Sequence, residues 1–117
     1  PKGDLAIVQG DAEAVIAFVN EKVREAKARG EKCGIIAASD TAPRYDGDVV
    51  KTIGDRRDEE VIARHLYGIL REFDDENVDR IYAESFGEEA GGHGLGQAIM
   101  NRLLKAAGHQ VIQVRNH

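Results

Sequence analysis

Apolar positions along this chain recur with two different periods, and the alternation between them predicts most of its elements. Residues 5–8, Leu5-Ala6-Ile7-Val8, form an unbroken apolar run stopped by Gly10, with the length and flanks of a buried strand. Asp11 stands where a helix cap belongs, and Ala12, Val15, Ile16, Val19, Val23 and Ala26 follow the helical period until Gly30 ends it. Lys32-Cys33-Gly34-Ile35-Ile36-Ala37 is apolar at consecutive positions, as expected of a parallel strand covered on both faces. A polar stretch without an obvious helix, residues 38–48, leads to a third strand at 49–53. Residues 55–58 open a second long helix with an acidic first turn and the inner stripe Ile62, Leu66, Ile69, Leu70 and Phe73. A fourth strand at 79–84, a helix at 94–107 and a possible fifth strand at 110–114 complete the pattern. The fold class this predicts is α/β: a Rossmann-like three-layer sandwich, with a mostly parallel sheet of four or five strands and three main helices.

In the usual doubly wound order the first and fourth strands are neighbours, and their carboxyl ends form a crevice. Gly10, Asp11, Glu84, Ser85 and the loop before Gly94 would meet there. Five of the thirteen glycines fall between Gly87 and Gly96. A helix starting at such a loop presents free N–H groups that favour an anion, with Gly94 and Gly96 at its first turn. The spacing of Gly92, Gly94 and Gly96 is nevertheless neither the dinucleotide fingerprint nor a phosphate loop, and on spacing alone a connection that only turns and caps a helix is the favoured reading. In the helix, Leu95, Ala98, Ile99, Leu103 and Ala106 form a stripe that Met100, Leu104 and Ala107 widen, which predicts burial on more than one side. Asn101 and Arg102 interrupt it, either as solvated residues or at a contact with another part of the protein or an acidic group. Ser39, Asp40 and Thr41 follow the second strand, where ligand groups collect in α/β folds, although side-chain-capped turns use the same residue types.

Length and charge narrow the picture. A chain of 117 residues is one domain with one core. Its net charge of −5 comes without a basic patch, so direct nucleic-acid binding is not expected. The single cysteine, Cys33, allows no internal disulfide and suits a reducing compartment such as the cytoplasm. No apolar run reaches membrane-spanning length, Pro1-Lys2-Gly3-Asp4 is not a signal peptide, and a start at proline suggests a fragment or processed chain. No nucleophile with its base and no paired carboxylates are visible, so no catalytic residue is assigned. His93 with Glu84, Glu88 and Glu89 lacks the ligand spacing of a metal site, and no metal is expected.

The stretch Gly94-Leu95-Gly96-Gln97-Ala98-Ile99-Met100-Asn101-Arg102-Leu103-Leu104-Lys105-Ala106-Ala107 resembles the signature of the C-terminal domain of the longer L-threonylcarbamoyladenylate synthases, the two-domain members of the Sua/YciO/YrdC family. Arg57-Asp58, Ile62-Ala63-Arg64-His65-Leu66 and Leu70-Arg71-Glu72-Phe73-Asp74 are similar to that family's central helix, Ile81-Tyr82-Ala83-Glu84 to its following strand, and Pro1-Lys2 to the end of its linker. The loop at 87–93 departs from the family in being longer and richer in glycine. The resemblance implies that residues 1–4 end an interdomain linker and residues 5–117 form an accessory or regulatory domain. The chemistry would belong to a YrdC-like catalytic domain in cis, which binds ATP with magnesium and L-threonine and is absent here; this chain would need no cofactor of its own. Candidate anion-binding or interdomain residues are then Asp11, Glu84, Ser85, Gly94, Gly96, Asn101 and Arg102. Two alternatives stay open: a free-standing nucleotide or anion sensor, and a dimerisation module that makes a homodimer through the 94–107 helix.

Overall fold

The computed structural model describes residues 4–86 and 94–115. Five parallel strands form one sheet: β1 (Asp4–Gln9), β2 (Cys33–Ala37), β3 (Val49–Thr52), β4 (Arg80–Glu84) and β5 (Val111–Gln113). Three helices cover it: α1 (Ala12–Ala28), α2 (Glu59–Asp74) and α3 (Gly94–Ala106). The predicted α/β sandwich is therefore what the chain adopts. The polar stretch after β2 holds one turn of 3-10 helix, Ala42–Arg44, with Pro43 near its start.

The strand order is β3-β2-β4-β1-β5. β1 and β4 are neighbours, as the doubly wound scheme requires, but β4 also pairs with β2 and so separates β1 from β2. Parallel strands need long crossovers, and α1 can carry the chain past one strand position as readily as to the next. The result places the carboxyl ends of β2, β4 and β1 side by side.

Strand periodicity divides the core into two. Leu5, Ile7, Ile36, Ile81 and Ala83 point to the α2–α3 side, where they meet Ile62, Leu66, Phe73, Ile99 and Leu103. Ala6, Val8, Cys33, Ile35, Ala37 and Tyr82 point to the α1 side, against Val15, Ile16, Val19, Val23 and Tyr45. Every residue of β2 is buried, because helices cover both its faces. Each fully buried Ile, Leu or Phe here contributes about 1.5–3 kcal/mol. Asp58 caps α2 by accepting from the Val61 N–H at 3.3 Å, whereas Asp11 occupies the cap position of α1 without a side-chain bond.

One expectation is corrected. α3 is buried on a single face, through Gly96, Ile99 and Leu103, while Leu95 and Ala98 are exposed. Its sequence is apolar beyond what the sheet can cover, since a helix lying on a sheet has only one face in contact. No helix among the described residues is long and apolar enough to cross a membrane.

Candidate functional site

Glu84 ends β4 on the same side as Tyr82, a position that would be apolar if the strand alternation continued. Its side chain is buried, and its carboxylate accepts from four donors. The Ala38 N–H lies 2.9 Å from Oε1 and Arg56 Nη2 lies 3.0 Å from the same oxygen. The Thr41 and Tyr45 hydroxyls each lie 2.6 Å from Oε2. Short bonds of this kind are those of an ionised acceptor, and they replace the water that burial removes.

The donors come from two loops at the carboxyl edge of the sheet. The β2–β3 loop supplies Ala38, Thr41 and Tyr45, and it is fastened to α1: Arg44 Nη2 bonds Glu13 at 2.8 Å, Asn20 donates to the Arg44 carbonyl, and the Asp46 N–H donates to Asn20. The β3–α2 loop supplies Arg56, whose Nη2 also reaches Asp40 and Thr41 at 3.1 Å. The Arg56 guanidinium hydrogen-bonds Asp40 and holds its carboxyl below the usual range. One guanidinium thus locks two loops onto β4.

Tyr45 gives this network a signature in alkali. Burial, and after it the bond to the Glu84 carboxylate, pushes its phenol well above the ordinary range. Above about pH 10 the unfolded chain loses this proton while the folded one keeps it, so the unfolded state binds fewer protons and stability falls as pH rises. The expected contribution is at most about 1.4 kcal/mol per pH unit, fully present below the unfolded pKa. Tyr82, raised chiefly by burial, adds a decline of the same sign. Urea midpoints followed from about pH 9 to about pH 11 should fall less steeply in Tyr45→Phe than in the parent; equal slopes would refute the assignment.

Beside the network lies a crevice of about 370 Å³, lined by Val8, Gly10, Ala12, Val15, Asp40, Arg56, Glu84 and Ser85. Gly10 has φ +153° and packs so closely on the Val114 backbone that a Cβ there would overlap the carbonyl oxygen. Asp40 and Arg56 also border an open cleft of about 750 Å³ with Ser39, Asp55 and Arg57. In that cleft Arg57 holds the exposed Asp55 carboxyl down to about 2. The crevice carries two carboxylates against one guanidinium, so its charge does not favour an anion.

The sequence candidates separate into two groups. Gly10, Glu84 and Ser85 come together at the crevice, beside the exposed Asp11. Glu84 lines the crevice while its carboxylate accepts from four of the protein's own donors. Ser85 accepts from Gln9 Nε2 at 3.1 Å and lies 3.8 Å from Met100 Sδ, linking β1, β4 and α3. Gly94 starts α3 with φ +57°, and Gly96 is buried on its inner face. Asn101 and Arg102 are outside the crevice: Asn101 accepts from Gln97 at 2.9 Å, and the Arg102 guanidinium stacks 4.5 Å from the centre of the Tyr67 ring. The enlarged loop at 87–93, with Glu88, Glu89 and His93, lies outside the described residues. Among the described residues no group of three His, Cys, Asp or Glu side chains could hold a metal ion.

Sequence reasoning missed Arg56 and Tyr45. The available signal was Glu84 itself, a carboxylate closing an apolar strand, which demands donors; nothing local says which residues supply them.

Residues 1–108 match the family described as threonylcarbamoyl-AMP synthase, C-terminal domain. The chain belongs to that family. Over 113 residues it is 40% identical to the threonylcarbamoyl-AMP synthase of Bacillus subtilis, covering 97% of this chain and 30% of the relative. The synthase of Pyrococcus abyssi is 38% identical over 114 residues, 97% of this chain and 31% of the relative. A solved structure of the Pyrococcus abyssi Sua5 protein, doubly substituted with alanine, superposes with a TM-score of 0.83 at 38% identity, over 100% of this chain and 31% of that one. A C-terminal Sua5 domain from Pyrococcus horikoshii gives 0.71 at 33% identity, over 97% of this chain and 98% of that one. The chain thus spans about a third of the length of the curated relatives it matches.

Proposed function

We propose that this chain acts as the accessory, carboxyl-terminal domain of a threonylcarbamoyl-AMP synthase, working in cis with a YrdC-like catalytic domain in the cytoplasm. The complete protein would convert ATP, L-threonine and bicarbonate into threonylcarbamoyl-AMP and pyrophosphate, for threonylcarbamoyladenosine formation in tRNA. ATP, magnesium and threonine would be held by the catalytic domain, and tRNA would not be gripped by this one. The observation that carries the reading is the match of nearly the whole chain to a domain described as the C-terminal part of that synthase.

The geometry agrees. A strongly built polar cluster uses its donors around Glu84 and holds the β2–β3 and β3–α2 loops in place. The test is pyrophosphate release from ATP by the complete polypeptide in the presence of L-threonine and bicarbonate. Deleting residues 5–117 is expected to lower the rate by about tenfold or more. An undiminished rate in the deleted protein would refute the accessory role.

A further inference from the structure

The outer face of α2 and α3 gathers four basic side chains on a domain whose net charge is −5, with the exposed Glu60 and, in the groove, Asp74 as acids on the same face. Elsewhere Arg29, Arg44, Arg56, Arg57 and Arg80 each hold a carboxylate, while among the described residues Arg24, Lys32 and Arg115 stand singly without an ion pair; four such groups gather on α2 and α3. On α2, Arg64, Tyr67 and Arg71 recur at i, i+3 and i+7 and share one stripe. On α3, Leu95, Arg102 and Lys105 share another. The stripes join where Arg102 stacks on Tyr67. Among the described residues, Arg64, Arg71, Arg102 and Lys105 have no acidic partner within ion-pair distance.

Two further observations fall on the same face. A groove of about 290 Å³ runs between the helices, and Asp74 is the one carboxylate lining it against Arg71, Arg102 and Lys105. Tyr67 and Leu95, 54% and 39% exposed, are the large hydrophobic side chains left in solvent among the described residues. Tyrosine and arginine around an apolar groove are the composition of a protein interface centre. A nucleic acid fits less well, because the acidic remainder of the domain repels phosphate at long range.

We infer that this face is where the rest of the synthase polypeptide docks, through a surface that sets carboxylates against Arg64, Arg71, Arg102 and Lys105 and an apolar side chain in the groove beside Tyr67. The inference rests on the accessory-domain reading and names its contact surface and the chemistry of the partner. Guanidinium groups suit this role, since their planar forks bind carboxylates in pairs of bonds and are weakly hydrated.

The test uses the complete polypeptide. Arg71→Glu together with Lys105→Glu alters exposed side chains remote from the Glu84 network. Protease cleavage between the domains is expected to become about tenfold faster, and the protection of the parent is expected to weaken as salt is raised. Unchanged cleavage in a variant that keeps its circular dichroism overturns the inference. Should the double variant not fold, arginine-directed labelling of the unaltered polypeptide decides. Arg71 and Arg102 should react several-fold more slowly than exposed Arg24 on α1, on the opposite side of the sheet; equal rates overturn the inference. RNA binding that the substitutions abolish while interdomain protection stays intact also overturns it. Failure of these substitutions alone, with the deletion of residues 5–117 still damaging, removes the docking face and leaves the accessory role; an innocuous deletion removes both.

Discussion

Replacing Glu84 by alanine is expected to destabilise the fold by about 3 to 5 kcal/mol, the loss usual when one partner of a buried charge pair is removed. The substitution leaves the Ala38 N–H, the Thr41 and Tyr45 hydroxyls and one arm of the Arg56 guanidinium without their acceptor. Asp40 still holds Arg56 from the outer side, which limits the damage. Glu84→Gln keeps an acceptor oxygen but presents an amide N–H₂ where the Thr41 and Tyr45 hydroxyls now donate, so a smaller loss of about 2 kcal/mol is expected. Urea denaturation checks both. A loss below about 1 kcal/mol for the alanine variant would mean that the network adds little beyond what water supplies. The consequence would extend past stability, because the same bonds hold the β2–β3 and β3–α2 loops at the crevice. The alanine variant should therefore show faster amide exchange in residues 38–48 and 54–57 than elsewhere.

The second large effect is expected in the opposite half of the core. Gly34, the second residue of β2, lies beneath Phe73, and a Cβ at this position would overlap the ring. Phe73 is 1% exposed, part of the core between the sheet and α2. Gly34→Ala should thus cost about 2 to 3 kcal/mol, as overpacking of a dense core does. A smaller ring-side neighbour relieves the clash, so Gly34→Ala combined with Phe73→Leu should lose clearly less than the sum of the two single losses. Strict additivity in a double-mutant cycle would refute direct contact as the cause. The position is a packing requirement between a strand and a helix rather than a turn, since no positive φ is involved.

Comparison of these two sites shows what kinds of information lie in a linear sequence. The strand at 79–84 and the long helix ending near Asp74 were legible because each is periodic over its own length. The clamp around Glu84 was not. Its donors lie 28 to 46 residues from Glu84 along the chain, and Arg56 sits in a charged run, Asp55-Arg56-Arg57-Asp58, that reads as a solvated turn. Thr41 and Asp40 drew notice as residues past the end of a strand, yet their turn-forming habits hid that one is a buried donor and the other an outer brace. Asn101 and Arg102 were singled out together as interruptions of an apolar helix, and the fold gives them separate neighbours: one bonds along its own helix, the other stacks on α2.

The sequence by itself determined the elements, the α/β class, the adjacency of β1 and β4 and the family resemblance, because hydrophobic period, caps and motif order are local properties of the chain. Only the tertiary structure decided that β4 lies between β1 and β2, that Arg56 and Tyr45 neutralise and satisfy Glu84, and that α3 leaves an apolar and cationic face in solvent. The physical reason is the same in each case. Strand order, the pairing of a buried charge and the coverage of a helix depend on which distant segments come into contact, and those contacts are chosen by the packing of the whole core.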